Sequence, residues 1–146
     1  MPTLAQYLTD PSKRDRVLDD CMRLVDEEVD SKGGLSGMGI KTAYAIVKKI
    51  KPGFVRNAMN AMLDDFAKNL DPLFQEHLAK GGSLVDHFVG KKGTVAEALL
   101  SITDARAQRA GSGTAKSAYD KLRPTGKKHV EEAVPRLARM IEQHVR

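Results

Sequence analysis

The chain consists of two halves that look like degenerate copies of each other. The tetrad Lys41-Thr42-Ala43-Tyr44 recurs as Lys116-Ser117-Ala118-Tyr119, and the apolar residues after each tetrad follow the same helical spacing. Matching apolar positions are weak evidence, because any two amphipathic helices can be aligned through them. The tetrads and the shared order of segments are more specific. A duplication constrains the architecture, because it predicts two similar helical lobes that pack against each other.

The offset between the two copies changes along the chain. It is 80 residues in the first segment, 77 in the second and 75 in the third and fourth, as seen in the pairs Thr3 and Ser83, Leu18 and Val95, and Lys41 and Lys116. The differences place short deletions between the segments, where loops tolerate them. We predict one helical domain over residues 1–146, with copies at 3–70 and 83–145 and a bridging helix at 72–80.

The composition favours an all-α protein. Aromatic residues make up only 5% of the chain, and the apolar residues recur mostly at helical spacing. We predict eight to nine helices in two four-helix lobes. No apolar run approaches the roughly 18 residues of a membrane span, and the N-terminus lacks the pattern of a signal peptide, so we expect a cytoplasmic protein. The single Cys21 lies on an apolar helix face, where a packed thiol is a better interpretation than a nucleophile.

Prolines set several of the predicted helix boundaries. Asp71-Pro72 has the form of a helix start, and Pro124 predicts an end to the helix that follows the second tetrad. Between Phe54 and Leu70 a broad apolar stripe runs along one side of the fourth helix. We expect this stripe to be central to the core.

Positive charge concentrates in two places. The net charge is −3 over residues 1–36, but +4 over 37–70 and +4 over 114–146. Two proline-containing hinges, 48–56 and 123–129, carry much of the excess, and helix starts beside them would add unpaired N–H groups. The candidate anion-binding residues are Lys48, Lys49, Lys51, Arg56, Arg123, Lys127, Lys128 and His129. The competing interpretation is that these side chains only solvate helix ends.

An acidic segment balances this charge in the first copy. Asp26, Glu27, Glu28 and Asp30 follow one another closely. They form a solvated face, or they neutralise a basic hinge in the same molecule or in a second one.

Familiar catalytic and metal-binding patterns are absent from the sequence. It contains no Glu-x-x-His, HExxH or CxxC motif, and its four histidines have no metal-ligand spacing. Tyr44 with Lys48, and Tyr119 with Arg123, have the Tyr-x-x-x-cation spacing of some reductases, yet no glycine fingerprint for a nucleotide follows a strand. We interpret each pair as two neighbouring side chains on the same face of a helix. We therefore assign no catalytic residue, metal or cofactor.

Several segments resemble an uncharacterised family of small all-helical bacterial proteins. They are the run from Asp26 to Val55, the segment Thr103-Asp104-Ala105-Arg106, and the segment from His129 to Pro135. The resemblance covers most of the chain and implies a cytoplasmic helical protein with no assigned activity.

Two functions compete on this basis. The first is a non-enzymatic module that binds another protein or a second copy of itself, suggested by the broad apolar faces and the lack of a reactive constellation. The alternative is anion or nucleic-acid binding through the two basic hinges. An enzyme would need a polar pocket with converging groups such as Asp104, Tyr119 or His129.

Overall fold

The structure, a computed structural model, describes residues 3–50, 53–110 and 113–145. These residues form helices and no strand, as an all-α fold requires. The helices are α1 (Leu4–Leu8), α2 (Arg14–Ser31), α3 (Gly34–Lys48), α4 (Phe54–Lys80), α5 (Leu84–Gly90), α6 (Lys92–Ala110) and α7 (Thr114–His144). None of the helices in the described ranges combines the length and the apolarity that a membrane crossing demands.

Local sequence explains several helix starts. Thr3 and Gln6 form a reciprocal capping box at α1, and the Ser83 side chain accepts a hydrogen bond from the Asp86 N–H at α5. Gly53 precedes α4 with φ of 77°, a left-handed conformation that glycine adopts without a steric penalty.

Two predicted proline boundaries are wrong. Pro72 lies inside α4 and Pro124 lies inside α7, so the predicted bridging helix 72–80 is the C-terminal part of α4. The described residues therefore form seven helices where eight to nine were predicted. An interior proline costs about 3 kcal/mol. Next to Pro72, Leu70, Leu73 and Phe74 are buried, and each contributes about 1.5–3 kcal/mol, which outweighs that cost.

The long helices α4 and α7 organise the rest of the molecule. Helix α1 packs on α4 and α5 packs on α7, while α2 and α6 each contact both long helices. Helix α3 packs mainly on α7.

The best-buried residues gather around the two short helices. They come from α1, α5, the C-terminal parts of α4 and α7, and the N-terminal parts of α2 and α6, and they include Leu4, Leu8, Val17, Leu63, Leu70, Phe74, Leu84, Phe88, Val95, Val134 and Ile141. We call this region the closed end. The opposite region, formed by α3, the N-terminal parts of α4 and α7 and the C-terminal parts of α2 and α6, is the open end.

Candidate functional site

The open end contains a large apolar cleft. Its volume is about 700 Å³, and five helices line it. Most lining residues are apolar, namely Val25, Val29, Ile40, Ala43, Val47, Phe54, Val55, Ala58, Met59, Met62, Ala107, Ala118 and Leu122. The polar ones are Tyr44, Thr103, Arg106, Arg109, Lys116 and Tyr119. Ligand sites in proteins commonly have this size and this mixture of an apolar wall with a few polar groups.

The cleft exists because only part of the apolar stripe on α4 is covered. Leu63 and Leu70 are buried, as the sequence predicts, but Ala58 and Met62 remain half-buried at the cleft wall. The prediction that the whole stripe is central to the core therefore fails for its N-terminal part. There α3 packs on α7 more than on α4, so it leaves the stripe partly open.

One wall of the cleft holds a hydrogen-bonded cluster around Tyr119. Its hydroxyl donates to Asp104 on α6 and lies 2.7 Å from Thr103 Oγ1. Arg123 donates twice to the same carboxylate, from Nε at 2.8 Å and from Nη2 at 3.1 Å. A bidentate guanidinium–carboxylate pair fixes both side chains in one orientation.

A similar cluster surrounds Tyr44. Its hydroxyl donates to Asp26 Oδ1 on α2 at 2.5 Å, and Lys48 Nζ lies 3.9 Å from that same oxygen. The ammonium also sits 5.0 Å from the centre of the Tyr44 ring. Both clusters thus combine a tyrosine, a cation one helical turn later and an aspartate from the preceding helix.

These surroundings keep both phenols protonated. Burial, together with the Asp104 carboxylate, raises the pKa of Tyr119 to about 12, and burial together with Asp26 raises the pKa of Tyr44 well above its usual value. Arg123 and then the Tyr119 hydroxyl hold the pKa of Asp104 below its usual range. Since each phenolic proton is engaged with a carboxylate, the hydroxyls have only acceptor capacity left for a ligand.

The cleft wall also carries cations. Arg106 and Arg109, three residues apart on α6, are both exposed and make no ion pair within the described ranges. Lys116 on α7 is instead bound to Asp120, at 2.8 Å. The two arginines are therefore the uncompensated charges among the described lining residues.

Four of the eight predicted anion-binding residues are paired with carboxylates of other helices. Arg56 binds Asp15 and Asp19 on α2, and Lys127 binds Glu97 on α6 at 3.2 Å. Lys48 and Arg123 belong to the tyrosine clusters described above. Lys49 is exposed, and Lys51 lies outside the described residues. The two predicted groups thus contact different helices, α2 for the first and α6 for the second.

Two predicted residues, Lys128 and His129, open onto a different cavity. It measures about 400 Å³ and is also lined by Lys32, Arg136, Arg139, Glu28 and Glu132. His129 Nδ1 lies 3.3 Å from Glu132 Oε1, but neither ring nitrogen makes a hydrogen bond within the described part of the chain. This cavity is polar and unlike the apolar cleft.

The acidic segment is used inside the molecule. Asp26 binds Tyr44 and Lys48, while Glu27 and Glu28 both bind Arg136 on α7, at 2.6 and 2.7 Å. Asp26 therefore neutralises Lys48 of the first basic hinge, as one of the alternatives supposed, whereas Glu27 and Glu28 bind an arginine outside both hinges.

Sequence reasoning missed the aspartate partners of the tyrosines and the two free arginines. Asp26 and Asp104 precede their tyrosines by 18 and 15 residues, in the preceding helix. An aspartate at similar distance before each Tyr-x-x-x-cation pair was the available signal. No pattern indicated that Arg106 and Arg109 would line an apolar cleft.

No group of three or more histidine, cysteine or acidic side chains in the described ranges could hold a metal ion. Cys21 packs near Met140, and burial raises its pKa to about 12, so its thiol is protonated and a poor nucleophile at neutral pH.

Comparison with known proteins gives a family but no activity. A model of the family of unknown function DUF6918 matches residues 4–145, so the chain belongs to that family. No curated protein and no solved structure matches the chain.

Proposed function

We propose that this member of a family of unknown function is a binding protein that holds a small, mainly apolar molecule in the cleft of its open end. The observation that carries the proposal is the cleft itself, with about 700 Å³ of space and mainly apolar walls from five helices. Exposure of such a surface to water is unfavourable, because each Å² of apolar area removed from water contributes about 25 cal/mol of favourable free energy.

The size of the cleft favours a small molecule over a segment of protein. A helix with its side chains is about 10–12 Å wide and rises about 1.5 Å per residue, so 700 Å³ encloses roughly four to six residues of it. Small-molecule sites range from about 300 to 1,000 Å³.

The tyrosine clusters support binding without catalysis. In each cluster the phenol is a hydrogen-bond donor to a carboxylate that is itself close to a cation. No group is left as a free base or an activated nucleophile in that arrangement. Their role in the proposal is to hold α3 and α7 at the cleft walls.

Titration with N-phenyl-1-naphthylamine, a neutral apolar dye that fluoresces when it leaves water, tests the proposal. We expect one saturable site on the wild-type protein. Ala58→Leu adds three carbon atoms to the cleft wall and should weaken dye binding at least tenfold. Ala61→Leu makes the same change on the exposed side of α4 and serves as the matched control.

Equal affinity of both variants would contradict the proposal, and so would the absence of saturable binding to the wild-type protein. The circular dichroism of each variant should match that of the wild type, so that a loss of binding reports the cleft.

A second candidate is self-association through the outer side of α3. Met38 is 64% exposed and Ile46 is 42% exposed, and both line a second apolar cavity of about 410 Å³ between α3 and α7. Self-association would be supported if sedimentation equilibrium shows that the wild-type protein is a dimer and that the Met38→Glu variant is a monomer. A protein that stays monomeric at high concentration would exclude it.

Anion binding remains a separate proposal for the polar cavity. Among the residues assigned to it from the sequence, Lys128 and His129 line that cavity together with Arg139, whereas Lys48, Arg56, Arg123 and Lys127 are occupied by carboxylates. Arg136 also lines the cavity but is bound to Glu27 and Glu28. Binding of a mixed DNA and RNA pool that weakens steeply with salt would support it. Absence of binding at low salt would contradict the proposal of anion binding.

The internal duplication is also part of the proposal. We infer that residues 3–70 and 83–145 are tandem copies and that the cleft lies between them. The two tyrosine clusters and the packing of α1 on α4 and α5 on α7 support this. Superposition of one half on the other, with corresponding helices in the same order and direction, is the test.

A further inference from the structure

We propose that the ligand of the cleft is a single-chain amphiphile with a carboxylate head group, and that Arg106 and Arg109 bind this head group. The inference rests on the proposed function, because it assigns the chemistry of a molecule already placed in the cleft.

The two arginines are arranged to share one anion. Residues three apart on a helix lie on the same face with their Cβ atoms about 5–6 Å apart, so Arg106 and Arg109 project side by side from α6. Both line the cleft and both are exposed, and neither is ion-paired within the described ranges. Two adjacent, uncompensated guanidinium groups repel each other, and an anion between them removes that repulsion.

The remaining polar groups of the cleft direct an anion to this place. Asp26 and Asp104 stand behind the two tyrosines and disfavour a second negative charge there. Both phenolic protons are already donated, so the tyrosines offer a carboxylate no hydrogen bond. Lys116 is occupied by Asp120. The charge and donor pattern thus places the head group at the α6 wall and the chain along the apolar residues.

The guanidinium group also favours the carboxylate. Its planar donors match the two oxygens of a carboxylate in a bidentate arrangement, and a neutral alcohol offers no such geometry. The volume of about 700 Å³ leaves room for an alkyl chain beside Met59, Met62 and Phe54.

Displacement of the dye by decanoate and by decanol, which share a chain and differ in the head group, tests the inference. Both ligands are used below the concentration at which they aggregate. Because the arginines are solvent-exposed, we expect a preference of about fivefold for decanoate, which decreases as salt is added. In the double variant Arg106→Gln, Arg109→Gln the preference should disappear while decanol binds as before.

The double variant Arg16→Gln, Lys68→Gln is the matched control. It removes two exposed positive charges from α2 and α4 away from the cleft lining, and it should keep the preference for decanoate. If both double variants lose the preference for decanoate equally, the net charge of the protein, and not this pair of arginines, selects the anion. That result would overturn the inference.

Other outcomes separate the inference from the proposed function. Saturable dye and decanol binding without any preference for decanoate overturns the inference and leaves the apolar site intact. No binding of dye, decanol or decanoate overturns both. If decyl phosphate binds more tightly than decanoate, the head group is better assigned as a phosphate, and the assignment of a carboxylate is overturned.

Arg106 and Arg109 also lie near the C-terminus of α6, where cations stabilise a helix. A double variant that loses stability but keeps its preference for decanoate would assign the two arginines a structural role only.

Discussion

The two ends of the molecule use the same long helices and reach different results. At the closed end α1 covers α4 and α5 covers α7, and residues such as Leu70 and Phe88 are almost completely buried. At the open end α3 packs mainly on α7, and the apolar stripe of α4 remains half-exposed around a cleft. An amphipathic helix therefore specifies which side is apolar. Whether that side becomes a core or a binding surface depends on the helix that covers it.

Polar contacts differ between the two ends as well. The open end holds both tyrosine–aspartate clusters, whose hydrogen bonds link α2 to α3 and α6 to α7. The closed end depends on apolar burial, and among its polar contacts is the bond of 2.8 Å from the Leu4 N–H to Asp71 Oδ1. Directional polar contacts can hold walls apart around a space, which apolar packing alone would tend to close.

The strongest test of this difference is truncation of a large side chain at each end. Leu70→Ala should lower the free energy of unfolding by about 2–5 kcal/mol, because it opens a cavity in close-packed surroundings. Met62→Ala should cost less than about 1 kcal/mol, because Met62 already borders an open cleft. Urea unfolding monitored by circular dichroism gives both values. Similar losses at the two positions would mean that the cleft is filled or closed in solution.

The reverse change, enlargement of a small side chain, also compares the two ends. Ala67→Leu should destabilise the protein by about 1–3 kcal/mol, because Ala67 is fully buried at the closed end. Ala58→Leu should change the stability by no more than about 0.5 kcal/mol, since the added atoms enter the cleft. Thermal unfolding of the two variants, recorded side by side, measures the contrast. A strongly destabilised Ala58→Leu variant would show that no free space exists there.

The smallest expected effect concerns the Tyr119 cluster. Asp104→Asn removes a carboxylate that accepts hydrogen bonds from Tyr119 and Arg123, and should cost about 1 kcal/mol after allowance for its partial exposure. It should also lower the pKa of Tyr119 from about 12 part of the way toward its ordinary value, because burial, the larger cause of the shift, persists. Absorbance titration of the tyrosines measures the pKa.

The pH dependence of this variant has a defined sign. The pKa of Asp104 is lowered in the folded protein, so its contribution to stability is present above the pKa of about 3.9 of an unfolded aspartate and is lost as the pH falls below it. The stability difference between wild type and Asp104→Asn should therefore shrink in acid. Asp64→Asn, which removes an exposed partner of Arg14, is the control and should leave the tyrosine titration unchanged.

Part of the candidate site could be found from the sequence and part could not. The apolar stripe of α4 and the two Tyr-x-x-x-cation pairs follow from helical spacing. The aspartates that bind the tyrosines come from other helices, 18 and 15 residues earlier, so spacing within a single helix does not reveal them. The prolines were misleading as boundary signals, because both Pro72 and Pro124 lie inside continuous helices. At Pro72 the buried side chains of Leu70, Leu73 and Phe74 offset the local cost of the proline. The clustering of positive charge was also a poor guide to anion binding, since a basic segment has the same sequence whether its cations are free or paired.

The sequence by itself determined the helical class, the apolar sides of the helices and the capped starts of α1 and α5, because these depend on residues within a few positions of one another. Only the tertiary structure decided which apolar sides are covered, which cations find carboxylates and where an open space remains. Those outcomes depend on helices far apart in the chain, whose relative positions are set by the sum of many weak contacts and not by any one motif.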